Sequence, residues 1–375
     1  MWVYDEQWTV ETENHIRATY LEAGAPYDSA RASVWNARCV SQAASGVMTR
    51  QKARWSTLNA LRSQLGLATL PAPFWYGEEA GTLRVQGLEL LNDNPRPGIG
   101  TLPWMVMGYR MFDAFGLHVY GQRDFRNSLD YPCELGFNTI FISTMMAQQN
   151  GHPVTLDPRV NTALYDKLTE CAHIAFQRGV RLWVYACADA GALGISEPDQ
   201  HRHWLRVCER LAGGYHVPSV ANEGPNGNSS DQQRFPVPSG CPVWSRGSGG
   251  EFPPAPNGAS LMEYEVKRRS AGEEPFKMTA DCASVEYHNE EPTGPRHMRP
   301  MVQVENTFAA SFMQLGRRSN QPRLFQAQAG CAMVTRGYGS GGYAFGSENS
   351  RMGQPLMGFE HECAEAAIRV MRTAW

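Results

Sequence analysis

From residue 104 onward, short runs of apolar residues alternate with stretches whose apolar positions repeat every three or four residues. The short runs predict buried strands, and the longer period predicts helices. The predicted strands in the first half of this region are 104–110, 136–142, 180–187 and 217–221. The predicted helices are 124–134, 161–178, which Gly179 closes as a C-terminal cap, and 199–211. Strands and helices in this order indicate a parallel α/β architecture.

The second half of this region is less regular. Residues 224–256 are rich in Gly, Pro, Ser and Asn and predict a long loop, which in a compact domain is usually functional or mobile. Beyond it, the pattern predicts strands 276–282, 301–305 and 343–348, and helices 261–270, 322–333 and 359–372. The fifth strand of the series is not placed by the pattern.

The first hundred residues have a different pattern. Residues 31–67 are rich in Ala, Ser, Arg and Gln and predict one or two helices, and residues 70–79 predict a loop that leads to a short strand. Residues 92–98 are dense in Asn, Asp, Pro and Gly, which favour turns. We therefore predict a boundary there, between an N-terminal region (1–98) and a main domain (99–375).

Composition and charge exclude several classes of protein. Of the 375 residues, 42% are hydrophobic and 19% are charged, as in ordinary globular domains. A net charge of −3 removes the main electrostatic reason to expect a nucleic-acid partner. No apolar run reaches the length of about 18 residues that predicts a membrane span, and the N-terminus predicts synthesis in the cytoplasm without a signal peptide. The nine dispersed cysteines indicate buried, reduced thiols.

Five runs of residues around the predicted strands carry a further signal. They are Met107-Gly108-Tyr109-Arg110-Met111-Phe112, Leu135-Gly136-Phe137-Asn138-Thr139-Ile140, Gly179-Val180-Arg181-Leu182-Trp183-Val184, Val220-Ala221-Asn222-Glu223 and Val302-Gln303-Val304-Glu305-Asn306. The first three resemble the opening strands of cellulase-like retaining glycoside hydrolases. The fourth resembles their strand-four Asn-Glu motif, and the fifth resembles the later strand that supplies the nucleophile. Residues 316–320 and 347–351 also resemble cellulase-like barrels of uncharacterised bacterial and phage proteins.

The resemblance covers roughly residues 100–375 and implies a (β/α)₈ TIM barrel with an additional N-terminal region. In that family the strand-four Glu is the acid/base and the later Glu is the nucleophile, so the resemblance implies these roles for Glu223 and Glu305. Such families commonly place an arginine near the end of an early strand to bind the nucleophile. Residues 141–144 offer none, and Arg110, after the first strand, is the candidate substitute.

Two carboxylates at strand ends suit the hydrolysis of an acetal. One carboxylate attacks or stabilises the anomeric carbon, and the other carboxylic acid protonates the leaving oxygen. Because the carboxyl ends of barrel strands converge on one mouth, we expect Glu223 and Glu305 to face each other, about 5 Å apart for a retaining mechanism. The alternative to a catalytic role, for Glu223 and for Glu305 alike, is that the residue is an ordinary solvated loop residue.

Six further residues are candidates for substrate binding: Asn222, Arg110, Tyr287, His288, Trp244 and Glu348. Asn222 suits a hydrogen bond to a sugar hydroxyl, Tyr287 and His288 suit the orientation of Glu305, and Trp244 suits stacking on a pyranose face. Three of these residues have an alternative explanation that stays open. Trp244 could pack under its own loop instead of stacking on sugar, His288 could be a structural residue, and Glu348 could anchor Arg351.

No metal site and no cofactor are predicted. His201 and His203 are two positions apart on a predicted helix and do not share a face, so a solvated surface explains them better than a metal. The glycine-rich residues 337–342 lack the Lys-Ser/Thr pair of a phosphate-binding loop.

Two functional hypotheses follow. The first is a hydrolase, a glycosidase that acts on a poly- or oligosaccharide. The second is a non-catalytic structural or carbohydrate-binding protein that keeps the barrel, for example a phage virion or tail component that contacts other subunits through residues 1–98. The second hypothesis stays open because fold does not dictate function, and because the early-strand arginine and the signal peptide are missing.

Overall fold

The computed structural model describes residues 2–44, 50–70, 81–86, 89–93, 100–221, 229–246, 262–265, 301–305 and 340–373. Its first part consists of three helices, α1 (Trp2–Glu22), α2 (Ser29–Ala44) and α3 (Arg50–Gln64). Helices α2 and α3 confirm the helices predicted within 31–67. The sequence pattern did not predict α1, because its apolar residues are spread around the helix instead of forming one stripe.

The three helices share a small apolar core. Its buried members are Ile16, Tyr20, Ala32, Trp35, Leu58 and Leu61. The guanidinium of Arg62 donates hydrogen bonds to both carboxylate oxygens of Glu22, at 2.5 and 2.8 Å. Such a bidentate pair fixes orientation as well as distance, and here it ties α3 to the end of α1.

A three-stranded antiparallel sheet follows the helices. Its strands are β1 (Thr82–Gln86), β2 (Glu89–Asp93) and β3 (Thr101–Pro103), and β2 pairs with both neighbours. The sheet contains residues from both sides of the boundary predicted at residue 98. The division into regions 1–98 and 99–375 stays a prediction.

The main sheet is parallel, as predicted. Its described strands are β4 (Val106–Arg110), β5 (Thr139–Ser143), β6 (Arg181–Tyr185), β7 (Val217–Ser219), β8 (Met262–Glu265), β9 (Met301–Glu305) and β10 (Ser340–Phe345). They lie in the order β7-β6-β5-β4-β10-β9-β8. The first strand of the series therefore pairs with the last, β4 with β10, as a chain wound around a barrel requires.

Helices connect the strands and cover one face of the sheet. They are α4 (Ala114–Val119), α5 (Phe125–Leu135), α6 (Leu164–Arg178), α7 (Glu197–Arg210), α8 (Glu348–Arg351) and α9 (Gly358–Thr373). These confirm the helices predicted at 124–134, 161–178, 199–211 and 359–372, and Gly179 ends α6 in the left-handed conformation, as predicted. Among the described helices, none combines the length and the apolar character needed to cross a lipid bilayer.

The strands are buried on both faces. Ile140, Ile142, Leu182 and Val184 contribute to an outer core between the sheet and its helices. The alternate residues face an inner core, whose buried members are Leu83, Leu90, Val106, Phe112, Phe141, Trp183, Tyr185, Val217, Val243 and Ala344. Side chains of successive strand residues point to opposite faces, which explains the division into two cores.

Arg181 connects the inner core to the three-stranded sheet. It begins β6 at the amino end of the strands and is fully buried. Its guanidinium donates to the carbonyl oxygens of Tyr215 and Gly81 and to the side chain of Asn92, at 2.5 to 2.7 Å. Burial lowers the pKa of Arg181 to about 10. Together with Leu83 and Leu90, these contacts place β1 and β2 against the amino end of the inner core.

Two segments differ from the sequence prediction. The helix predicted at 261–270 is wrong at its start, where β8 pairs with β9 instead. The conformation of this segment depends on its pairing with a strand far away in the chain, which the local pattern does not reveal.

The unplaced fifth strand corresponds to the segment around Ser245, which forms a parallel bridge with Ser219 of β7. The predicted strand 276–282 and helix 322–333 lie outside the described residues.

Replacing Gly342 by alanine is expected to lower the free energy of unfolding by about 2 kcal/mol or more. Gly342 has a φ of +138°, and a Cβ there would overlap the carbonyl oxygen of Val106. The added methyl would therefore push β10 away from β4. Urea unfolding followed by circular dichroism measures the loss.

Gly121→Ala is the matched control for this variant. Gly121 also has a positive φ, +66°, but a Cβ there meets open space. Gly121→Ala should therefore lower the free energy of unfolding only by the backbone strain of a positive φ, about 1 kcal/mol. Equal losses in the two variants would contradict the close approach of β10 to β4.

Candidate active site at the carboxyl edge of the sheet

The carboxyl ends of the parallel strands lie together at one edge of the sheet, here called the carboxyl edge. The residues that end the described strands are Arg110, Ser143, Tyr185, Ser219, Glu265, Glu305 and Phe345. The amino ends contact β1 and β2 through Arg181. Functional residues of barrel proteins lie at the carboxyl ends, so this edge is the candidate site.

Glu305, the predicted nucleophile, is the last residue of β9 and lies at the carboxyl edge. Its register partner is Glu265, the last residue of β8. Two acidic residues therefore end neighbouring strands. Glu265 is not among the predicted site residues, because the pattern predicts a helix over 261–270. A strand predicted there would have placed this carboxylate at a strand end, beside Glu305.

Four of the predicted site residues cannot be compared with the structure. Asn222 and Glu223 follow β7, which ends at Ser219, and lie outside the described residues together with Tyr287 and His288. The roles assigned to these residues stay predictions, including the separation of about 5 Å expected for a retaining pair.

Arg110 ends β4 at the carboxyl edge and is 1% exposed. It alternates with Val106, which belongs to the inner core, and its guanidinium carbon lies 4.5 Å from the ring centroid of Phe112, another inner-core residue. Arg110 therefore lies on the inner face of the sheet. This is the face on which a cation would meet a carboxylate at the mouth of a barrel.

Trp244 does not occupy the position expected of a sugar platform. Only 3% of the residue is exposed, and its ring packs against Trp204 of α7 with centroids 5.8 Å apart. The sugar-stacking role predicted for Trp244 is therefore wrong for this conformation, because the indole is covered within the outer core. The alternative, that Trp244 packs inside the protein, fits the structure.

The last predicted strand is shorter than expected. It was predicted to run to residue 348, but β10 ends at Phe345, and Glu348 begins the short helix α8. Ser347 caps this helix, since its hydroxyl accepts a hydrogen bond from the backbone N–H of Ser350. Glu348 thus remains at the carboxyl edge through its backbone position.

A cluster of four charged residues joins the loops at this edge, and we call it the ionic cluster. His152 lies between two aspartates, with Nδ1 2.5 Å from Oδ1 of Asp113 and Nε2 3.0 Å from Oδ2 of Asp189. Arg351 completes the cluster, with Nε 3.4 Å from Oδ2 of Asp113 and a nitrogen 3.1 Å from Nδ1 of His152. The side chains of both aspartates are at most 5% exposed.

The charges of the ionic cluster depend on one another. Burial lowers the pKa of His152, but the hydrogen bonds with Asp113 and Asp189 outweigh this effect and raise its pKa to about 9. Burial raises the pKa of Asp189, but hydrogen bonds from His152 and Asn150 lower it below its ordinary value. At neutral pH the imidazolium and Arg351 therefore balance two carboxylates.

The ionic cluster holds four loops in place. Its members follow β4, β5, β6 and β10, and Asp189 also accepts hydrogen bonds from the backbone N–H of Ala147 and from Asn150, both at 2.7 Å. The sequence pattern did not predict the ionic cluster, because its members are dispersed along the chain. The only local signal is that a charged residue follows each of several predicted strands. Among the described residues, no group of His, Cys, Asp and Glu fits a metal ion.

Stability is expected to fall as the pH rises through about 9, by no more than about 3 kcal/mol. The pKa of His152 is higher in the folded protein than its ordinary value of 6.5. Its contribution is therefore complete below pH 6.5 and is lost as the pH rises to about 9. Urea unfolding of the wild type and of His152→Gln between pH 6 and pH 10 measures the difference.

His173→Gln is the control, since His173 is exposed on α6 and outside the ionic cluster. This variant should keep the wild-type dependence on pH. If His152→Gln kept it as well, the assignment of the effect to His152 would be refuted.

Comparison with known proteins agrees with this architecture. No family model and no curated protein match the sequence. A mutant of the glycoside hydrolase family 5 mannosidase from Rhizomucor miehei matches with a TM-score of 0.50 and 8% identity, over 78% of this chain and 99% of that chain. A glycoside hydrolase family 5 protein from Bacteroides vulgatus ATCC 8482 matches with a TM-score of 0.50 and 11% identity, over 72% and 64% of the two chains. These likenesses confirm the predicted α/β class and (β/α)₈ barrel type, so the protein has a cellulase-like glycoside hydrolase fold.

Proposed function

We propose that this protein is a glycoside hydrolase that cleaves a poly- or oligosaccharide by a retaining mechanism, with Glu305 as nucleophile and Glu223 as acid/base. The observation that carries the proposal is the position of Glu305, which ends β9 at the carboxyl edge of a sheet with this fold. Glu223 follows β7, whose carboxyl end lies at the same edge. Strand order thus supports the two-carboxylate pattern that the sequence predicts.

The reaction requires the two catalytic carboxyl groups to differ in protonation state. The nucleophile must be ionised when it attacks the anomeric carbon, and the acid must hold a proton for the leaving oxygen. After the glycosyl-enzyme forms, Glu223 takes a proton from water, which releases the sugar with its original configuration. Glu305 at the end of β9 and Glu223 after β7 meet this requirement if their surroundings separate their pKa values.

Arg110 is the described residue best placed to support ionisation of a carboxylate at this edge. It lies buried on the inner face at the end of β4, and β4 is separated from β9 only by β10. A buried guanidinium lowers the pKa of a nearby carboxylate and offers it two donors. Arg110 therefore takes the place of the early-strand arginine that residues 141–144 lack.

The ionic cluster has a supporting role in this proposal. Its members follow β4, β5, β6 and β10, the strands that lie between β7 and β9 in the sheet. The cluster therefore holds the loops that lie between the end of β7, which Glu223 follows, and the end of β9 at Glu305. Loops held by buried ion pairs keep a fixed shape, and a fixed mouth places substrate reproducibly against the two carboxylates.

Glu305→Gln and Glu223→Gln are each expected to lower the turnover of a cleaved polysaccharide by at least about a hundredfold. The amide cannot act as nucleophile at position 305 or donate a proton at position 223. Release of reducing ends from a panel of soluble polysaccharides measures turnover. Proton NMR of the first product identifies its anomer, which should match that of the substrate.

Glu209→Gln is the matched control, because Glu209 is exposed on α7 and is not at the carboxyl edge. It should leave turnover unchanged. Inverted product would contradict the retaining mechanism, and full activity in Glu305→Gln would contradict the assignment of the nucleophile. Binding of a glycan without any turnover would favour the non-catalytic, carbohydrate-binding hypothesis.

A further inference from the structure

Two cysteines that are far apart in the chain meet beside α7. Cys208 lies in the last turn of α7, and Cys241 lies in the segment that leads to Ser245. The Sγ atom of Cys241 donates a hydrogen bond to the carbonyl oxygen of Cys208 at 3.3 Å. Cys208 is 2% exposed and Cys241 is 6% exposed, and both belong to the outer core.

The backbones on either side of the pair are also in contact. The N–H of Gly213, just beyond α7, donates to the carbonyl oxygen of Gly240 at 2.9 Å. A Cβ built on Gly240 would lie 3.4 Å from the Cβ of Ala212. A disulfide requires the α-carbons of the two cysteines to be roughly 4.4–6.8 Å apart. Because the segments that carry Cys208 and Cys241 are already in contact, we expect the pair to reach this range without a large movement of either backbone.

The two thiols interact directly, and their environments differ. Burial raises the pKa of the Cys208 thiol, while a hydrogen bond with Cys208 lowers the pKa of the Cys241 thiol. The thiolate is the reactive form of cysteine. Cys241, next to the exposed residues Ser239 and Gly240, is therefore the sulfur that reacts first with a reagent from solution.

We propose that Cys208 and Cys241 form a thiol pair that a small-molecule disulfide, such as oxidised glutathione, converts to a protein disulfide. The Cys241 thiolate attacks one glutathione sulfur, the glutathione S–S bond breaks, and one glutathione thiolate leaves. Cys208 then loses its proton and attacks the Cys241 sulfur of the mixed disulfide, which releases the second glutathione. The protein sulfurs lose two electrons, and oxidised glutathione takes up these electrons and the two thiol protons to become two molecules of reduced glutathione.

A third cysteine lies near the pair but points elsewhere. The Sγ atom of Cys187 donates a hydrogen bond to the carbonyl oxygen of Gln200 at 3.7 Å. No hydrogen bond joins Cys187 to Cys208 or Cys241 in the described part of the chain. Oxidation should therefore select Cys208 and Cys241 over either pairing with Cys187.

The cross-link would close a loop that contains β7 and the residues after it. This loop begins in α7, includes Asn222 and Glu223, and returns at Cys241 before the bridge between Ser245 and Ser219. A disulfide stabilises mainly by restricting the unfolded chain, and a loop of this length gives a substantial effect. Oxidation would thus stabilise the barrel around the fifth-strand segment, whether or not Glu223 is catalytic.

The test compares native protein incubated with oxidised glutathione and protein refolded from urea in a glutathione redox buffer. After free thiols are alkylated under denaturing conditions, intact mass should show two thiols protected without a bound glutathione. Peptide mapping should identify a Cys208–Cys241 cross-link. The midpoint of thermal unfolding should rise by about 5 °C or more and fall back when dithiothreitol is added.

Cys241→Ala should lose both the protected thiols and the thermal shift. Cys363→Ala, which removes a buried cysteine of α9 outside the pair, should keep both. The proposal would be overturned if all nine thiols stayed alkylatable in both treatments. A cross-link to Cys187, or a glutathione adduct on Cys241 that does not resolve, would overturn it too.

Discussion

Each described strand from β4 to β7 must bury both of its faces, and the rest of the architecture depends on this constraint. Successive side chains point to opposite sides, so one set packs under the helices and the other set packs on itself. The inner set is dominated by large rings, with Phe141 and Trp183 stacked at 5.1 Å between ring centroids. A curved parallel sheet fills its interior in this way, and the outer helices follow because parallel strands need crossover connections.

The two ends of the sheet are built differently. At the amino end, the buried guanidinium of Arg181 finds oxygen acceptors in the chain around β1, β2 and β7, and no part of it reaches solvent. At the carboxyl edge, charges are paired among loops instead, with His152 between Asp113 and Asp189. The amino end of the sheet is therefore covered by β1 and β2, whereas the carboxyl edge carries charged side chains in its loops. This difference is why we assign the proposed activity to the carboxyl edge.

Much of the fold is readable from the sequence because strands buried on both faces appear as continuous apolar runs, as 181–185 does, and because helices with one covered side show a clear stripe. The exceptions have two causes. Strand β8 and the bridge at Ser245 depend on partners remote in the chain, and α1 packs without a segregated stripe. For the site, Glu305 was predictable because it ends an apolar run. The ionic cluster was not, because its members come from four separate loops.

The sequence by itself determined the alternation of strands and helices, the carboxyl end of β9 at Glu305, and the chemical type of the candidate catalytic pair, since these are properties of local runs of residues. Only the tertiary structure decided which neighbours each side chain has. It placed Trp244 against Trp204 inside the outer core, placed Arg110 on the inner face, and brought Cys241 to Cys208. The physical reason is that packing and hydrogen bonding act over a few ångströms in space, whereas Trp204 and Trp244, like Cys208 and Cys241, are separated by tens of positions along the chain.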